Sequence, residues 1–100
     1  SWWKVYFETP CRYNKFEASF SGGEFRPTKL RVDISNDDLS WETLTNLDVP
    51  TNASTSNAMI TFGLPPAGFY KYIRITCTQM VNPLVAGYAV IDYKLYGVVN

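Results

Sequence analysis

The residues that could carry out chemistry are few in this chain of 100 residues. It contains no histidine, so it cannot form a Ser-His-Asp or Cys-His arrangement or a histidine-ligated metal site. Asp37 and Asp38 are the only adjacent pair of carboxylates, and paired carboxylates can do acid–base work. They lie in a run of turn-forming residues, where aspartate commonly hydrogen-bonds the local backbone. We therefore expect both to shape a turn, and the sequence predicts that the protein is not an enzyme.

The two cysteines, Cys11 and Cys77, leave two alternatives open. A disulfide between them would suit a secreted domain and would stabilise it. Cys77, however, is in register with Ile73 and Ile75 on the apolar face of a predicted strand, where it would act as a small core side chain. Cys11 follows a proline, and nothing in the sequence brings it near Cys77. Two free thiols are the favoured alternative.

Composition and charge exclude several classes of partner. Hydrophobic residues make up 46% of the chain and charged residues only 18%, which is typical of a folded domain. Nine basic and nine acidic residues give a net charge of zero, so nothing favours nucleic acid or an anionic membrane as a partner. The apolar runs are far shorter than the ~20 residues of a membrane-spanning helix. The length predicts a single domain, residues 1–100, which we expect to belong to a longer polypeptide.

Apolar side chains recur at every second position almost throughout the chain, which predicts an all-β fold. In the first segment, the alternation places Trp3, Val5 and Phe7 on one face and the residues between them on the other. The turn formers at residues 8–10 are predicted to end that strand. The seven predicted strands cover approximately residues 2–7, 11–20, 29–35, 41–47, 60–64, 70–79 and 89–97. Short strands separated by turn signals are typical of an antiparallel β-sandwich or barrel.

Several motifs occur in an order that is found in a known family. The tryptophan-bearing first strand is followed by the hairpin segment SNDDLSW at residues 35–41, the strand YIRI at residues 72–75, and a closing Tyr96-Gly97. This succession resembles the coagulation-factor five/eight type C, or discoidin, domains and the family 32 carbohydrate-binding modules over nearly the whole chain. The resemblance implies a galactose-binding-like jelly-roll sandwich of seven to eight strands. Asp38 occupies the position where the family has glycine, and aspartate tolerates the left-handed backbone that such a turn needs.

The resemblance also places Asp92 where the family has a glutamate that helps to bind calcium. Calcium requires six to eight oxygen ligands, and in the family the others come from an N-terminal acidic loop that this sequence lacks. We therefore expect Asp92 to be a surface residue and the domain to have no cofactor. Calcium at Asp92 is the alternative.

The longer connections contain the candidate ligand-binding residues. If successive strands alternate in direction, residues 21–27, 48–57 and 79–88 emerge at one end of the sandwich, and long loops on a rigid scaffold often carry binding residues. The resemblance implies that sugars bind at this end. Sugar recognition needs an aromatic ring and planar hydrogen-bonding groups, and this end offers Phe25 with Arg26 and Asn82 with Tyr88. The alternative is that Phe25 and Tyr88 cap the core and that Arg26 is solvated.

The sequence therefore predicts a non-catalytic binding module for a glycan or another cell-surface ligand. The parent would be a larger secreted or surface protein, with neither nucleic acid nor a membrane as partner. The alternative is a structural or assembly module of a viral particle or surface appendage, in contact with neighbouring domains or chains. The unusually apolar segment 79–88 favours that alternative.

Overall fold

The computed structural model describes residues 2–20, 26–50, 59–82 and 90–99, with only the backbone of residues 90–92. Six strands lie within these residues: β1 (Trp2–Phe20), β2 (Pro27–Ser35), β3 (Glu42–Asp48), β4 (Ile60–Gly63), β5 (Tyr70–Met80) and β6 (Val90–Val99). Every pairing between them is antiparallel. The predicted all-β, antiparallel fold is thereby confirmed. In this part of the chain, no helix is long and apolar enough to cross a membrane.

Strand β1 runs through both of the N-terminal strands that the sequence predicted. The turn expected at residues 8–10 is instead a shift in the pairing of β1 with β5, between Tyr6 and Cys11. Pro10 has no N–H to donate and is accommodated at this interruption of the ladder. A straight strand would place Trp3 and Phe16 roughly 40 Å apart, yet their ring centroids are 6.5 Å apart. The strand therefore bends at the shift, and its two halves lie face to face.

The two halves of β1 belong to the two layers of a sandwich. The N-terminal half is the edge of the first layer, which has the order β3-β2-β5-β1. The C-terminal half lies between β4 and β6 in the second layer. One hydrogen-bonded sheet thus folds over on itself. The described residues form six strands, and not the seven to eight predicted, because the first two predicted strands are a single element.

The core lies between the layers and consists mainly of apolar side chains that alternate with polar ones along the strands. Leu30, Val32 and Ile34 of β2 are at most 2% exposed. From the second layer, the fully buried Phe16 stacks on Phe62 with 4.7 Å between ring centroids. Burial of each such side chain stabilises the fold by about 1.5–3 kcal/mol. Contact between the two apolar faces therefore holds the layers together.

Both cysteines are free thiols, as predicted. Cys11 pairs with Tyr70, at the start of β5, whereas Cys77 lies near the other end of that strand and pairs with Leu30. The separation along β5 is roughly 20 Å, at 3.3 Å per residue, and far exceeds the reach of a disulfide. Burial raises the pKa of the Cys77 thiol, which keeps it protonated and unreactive at neutral pH.

Gly97 lies where β6 approaches the backbone of β1 most closely. A Cβ atom at this position would lie 2.4 Å from the carbonyl oxygen of Arg12, so the two strands would have to separate. We expect Gly97→Ala to lower the free energy of unfolding by about 2 kcal/mol, a typical cost of overpacking, measured by urea denaturation. Gly63→Ala is the matched control, because a Cβ atom there would have no atom within 4 Å. An equal loss of stability in both variants would contradict this explanation.

Candidate functional site

The strands bring the three long connections to one end of the sandwich, as their alternating directions predicted. Pro27, at the start of β2, pairs with Met80, at the end of β5. Across the sandwich, the ring of Trp3 near the start of β1 lies 5.7 Å from the ring of Tyr93 in β6. Strand ends of both layers therefore meet here, and we call this the long-loop end. Most of the connecting residues lie outside the described part of the chain, at 21–25, 51–58 and 83–89.

Two of the four predicted ligand residues, Phe25 and Tyr88, lie outside the described residues. Arg26 is only 9% exposed, and its Nη1 donates a hydrogen bond to the carbonyl oxygen of Pro50 at 3.2 Å. This contact ties the start of β2 to the segment after β3 and places the guanidinium in the interior, not in solvent. Asn82 follows β5 and is half-buried. The structure brings Arg26 and Asn82 to the long-loop end, and their role in ligand binding stays a prediction.

Asp92, the candidate calcium ligand, lies on β6, where its backbone pairs with Ser19 of β1. Its side chain lies outside the described part of the structure. Among the side chains that are described, no three His, Cys, Asp or Glu residues group closely enough to hold a metal ion. Calcium at Asp92 therefore stays a prediction.

The adjacent carboxylates shape a tight turn between β2 and β3. Oδ1 of Asp37 accepts hydrogen bonds from the amides of Ser40 at 2.8 Å and Leu39 at 2.9 Å. The hydroxyl of Ser35 accepts from the amide of Asp38 at 3.0 Å and donates to the carbonyl oxygen of Ser40 at 2.6 Å. Asp38 has a φ angle of 63°. The prediction that Asp38 tolerates a left-handed backbone in this turn is confirmed.

A further carboxylate, that of Asp33, is buried on the outer side of the first layer. Its side chain is 3% exposed and accepts hydrogen bonds from Arg31 at 3.0 Å, Arg74 at 3.2 Å and Thr43 at 2.9 Å. A buried carboxylate is tolerated only when it is paired and hydrogen-bonded in this way. The guanidinium of Arg74 also lies 4.0 Å from the ring centroid of Trp41. The cluster ties β2, β3 and β5 together and fixes the position of Trp41.

The outer surface of the first layer carries a set of four aromatic side chains, of which two are exposed and two, Trp41 and Tyr72, are half-buried. Trp2 is 58% exposed and Tyr6 is 51% exposed. The ring of Tyr6 lies 4.8 Å from that of Tyr72, which lies 6.2 Å from that of Trp41. We call Trp2, Tyr6, Trp41 and Tyr72 the aromatic face. The rings of Tyr6, Tyr72 and Trp41 form a row, and Lys4 lies between this row and the ring of Trp2.

Lys4 places polar groups between the rings of the aromatic face. Its Nζ lies 5.7 Å from the ring centroid of Trp2, 5.8 Å from that of Tyr72, and 2.8 Å from each carboxylate oxygen of Asp38. The two paired side chains are 29% and 36% exposed, and an ion pair this exposed contributes at most about 1 kcal/mol. Its main effect is therefore to hold a hydrogen-bond donor and an acceptor beside the exposed rings.

Sequence reasoning separated the two faces of the first strand but did not identify the face with Trp2 and Tyr6 as a site. Trp3, Val5 and Phe7 pack against the core, so Trp2 and Tyr6, which were predicted on the opposite face, lie on the outside. Their neighbours on the aromatic face come from distant parts of the chain, so no local motif describes it. The only local signal was the run of aromatic residues within WWKVYF.

The hydrogen bonds to Asp37 generate a pH prediction. Because the amides of Ser40 and Leu39 donate to its carboxylate, the pKa of Asp37 is lower than the ordinary value of 3.8. The ionised form therefore stabilises the fold above pH 3.8, and this contribution disappears as the pH falls through the lowered pKa. We expect an NMR titration of the carboxyl carbon to show a midpoint below 3.8.

The variant Asp37→Asn keeps the acceptor oxygen but does not titrate. The stability difference between the wild type and Asp37→Asn should therefore be largest at neutral pH and should shrink in acid, as measured by urea denaturation at each pH. A difference that grows as the pH falls would contradict the assignment.

Comparison with known proteins supports the fold. No protein-family model matches the chain, and no curated protein matches its sequence. Among solved structures, it is similar to the C-terminal domain of a chitobiase from Bacteroides fragilis, with a TM-score of 0.64 and 16% sequence identity. The likeness covers 92% of this chain and 59% of that chain, so this chain spans less than two thirds of the structure that it matches. At this identity the likeness shows a shared all-β, sandwich-like fold.

Proposed function

We propose that this domain is a non-catalytic module that binds glycans through the aromatic face. The observation that carries the proposal is the exposure of Trp2 and Tyr6 beside the ion pair of Lys4 and Asp38. Single exposed apolar residues are normal on protein surfaces, whereas contiguous apolar patches rimmed by polar groups mark binding surfaces. The row of Tyr6, Tyr72 and Trp41, with the ion pair of Lys4 and Asp38 beside it, has these properties.

The chemistry of the aromatic face fits a sugar ring. A pyranose has a face of C–H groups that can pack on an aromatic ring, and a rim of hydroxyl groups that need donors and acceptors. The rings of Trp2 and Tyr6 supply the first kind of contact. The ammonium group of Lys4 can donate to hydroxyl oxygens, and the carboxylate of Asp38 can accept from hydroxyl groups. These groups lie next to one another on the same side of the sheet.

The aromatic face is held in place before a ligand binds. Tyr72 lies on β5, between β1 and β2, and Trp41 is fixed by the guanidinium of Arg74. Lys4 is restrained by both oxygens of Asp38. A surface that is already ordered loses little conformational freedom on binding, which favours affinity.

Two likenesses support a carbohydrate as the ligand. The motif order resembles that of discoidin domains and family 32 carbohydrate-binding modules, and the fold is similar to a domain of a chitobiase. On this proposal the domain is part of a secreted or surface protein. The long-loop end, with Arg26 and Asn82, is a second candidate surface for the same ligand class, because the resembling modules hold sugars at that end.

The competing function is that of a structural or assembly module whose exposed aromatic residues contact another protein. One observation favours it: Trp2 and Tyr6 belong to a strand at the edge of its layer. Such residues can become buried when another chain approaches the edge.

A glycan-array screen tests the proposal, followed by fluorescence titration of each ligand that binds. Chitobiose is the first sugar to titrate, because the similar structure belongs to a chitobiase. We expect the double variant Trp2→Ala/Tyr6→Ala to bind at least about tenfold more weakly, a loss typical of a removed aromatic anchor. Tyr96→Ala is the matched control, since it removes a partly exposed ring from β6 in the second layer, and it should bind like the wild type.

The remaining outcomes separate the candidates. Loss of binding in Tyr88→Ala, with normal binding in the double variant, would move the site to the long-loop end and overturn the aromatic face as the site. Failure of the wild type to bind any glycan would reject the carbohydrate proposal and favour the assembly module.

A further inference from the structure

A cleft of about 270 Å³ lies beside the turn between β2 and β3, at the end of the sandwich opposite to the long-loop end. Its walls include Asn36 and Asp37 of the turn, Trp41 and Glu42 where β3 begins, and Tyr70 at the start of β5. We call this space the turn cleft. Trp41 also belongs to the aromatic face, so the two surfaces adjoin at its ring.

Three polar side chains of the turn cleft are exposed, and each is held through one terminal atom while it presents another to solvent. Oδ1 of Asp37 accepts the hydrogen bonds that shape the turn, and Oδ1 of Asn36 accepts from the amide of Lys71 at 3.2 Å. Oε2 of Glu42 accepts from the hydroxyl of Tyr70 at 3.0 Å. No other described residue bonds to Oδ2 of Asp37, Nδ2 of Asn36 or Oε1 of Glu42. The turn cleft therefore presents two acceptors and one donor on restrained side chains.

These groups match the hydrogen-bonding needs of a sugar residue. Each sugar hydroxyl can donate one hydrogen bond and accept others. The carboxylates of Asp37 and Glu42 can accept from hydroxyl groups, and hydrogen bonds to an ionised group are about twice as strong as neutral ones. The amide of Asn36 can donate to a hydroxyl or ether oxygen. The ring of Trp41 adds an apolar wall on which the C–H groups of the sugar can pack.

We propose that the turn cleft is a further sugar subsite and that the ligand is a linear oligosaccharide, which runs from the aromatic face past Trp41 into the cleft. This inference rests on the proposed function and names the class of glycan. A short sugar at Trp2 and Tyr6 does not reach the cleft, because the ring of Tyr72 lies between those of Tyr6 and Trp41. Since the polar groups of the cleft are already restrained, a longer chain orders few side chains when it binds there.

The dependence of affinity on chain length tests the proposal. The probes are β-linked oligomers of N-acetylglucosamine, glucose and galactose, from disaccharide to hexasaccharide, and any linear glycan that binds on the array. Calorimetric titration should show the hexasaccharide of a binding series at least about tenfold tighter than its disaccharide. Glu42→Ala removes a free acceptor of the cleft. It should bind the hexasaccharide at least about fivefold more weakly than the wild type, and the disaccharide equally well.

Glu17→Ala is the matched control. Glu17 has a partly exposed carboxylate that also accepts a hydrogen bond from a tyrosine hydroxyl, that of Tyr96 at 2.6 Å, but it lies in the second layer. This variant should bind every oligomer like the wild type. Circular dichroism verifies that both variants are folded, which we expect because Glu42 is exposed. Equal weakening in the two glutamate variants would contradict the proposal.

NMR provides a readout that needs no variant. The side-chain amide signals of Asn36 should shift when the hexasaccharide binds and stay in place with the disaccharide, whereas those of Asn14 in the second layer should move with neither. A wild type without a gain from chain length, or the same gain in Glu42→Ala, would overturn the turn cleft as a subsite and leave the aromatic face as the glycan site. Absence of binding at every length would overturn both proposals.

Discussion

The contact between Trp3 and Phe16 is the constraint on which the rest of the structure depends. Both residues belong to β1, and their rings can meet only if that strand folds over itself. This bend creates the two layers, and the same core lies between them. The hydrophobic effect drives the bend, because apolar side chains between the layers are removed from water. Pro10 and the register shift mark where the ladder is interrupted to allow the bend.

The same bend explains why the aromatic surface exists. Residues of β1 alternate between the two sides of the sheet, so burial of Trp3, Val5 and Phe7 leaves Trp2 and Tyr6 outside. The buried carboxylate of Asp33 then organises the neighbouring strands through Arg31, Arg74 and Thr43. Arg74 links this polar cluster to the ring of Trp41. Arg74 therefore contributes both to the stability of the first layer and to the position of Trp41 in the proposed binding surface. Changes to the Asp33 cluster are expected to affect both.

The sequence by itself determined the all-β class, the inward and outward faces of the strands, the turn at Asp38 and the placement of the cysteines on separate strands. These properties follow from local alternation and from the conformations that single residues tolerate. Tertiary structure alone decided that the two predicted N-terminal strands are one bent element, that Arg26 is buried against Pro50, and that Trp41 and Tyr72 join Tyr6 in one row. The physical reason is that these features are contacts between residues distant in sequence. Periodicity shows which side a residue takes, but only the folded layers decide what lies beside it.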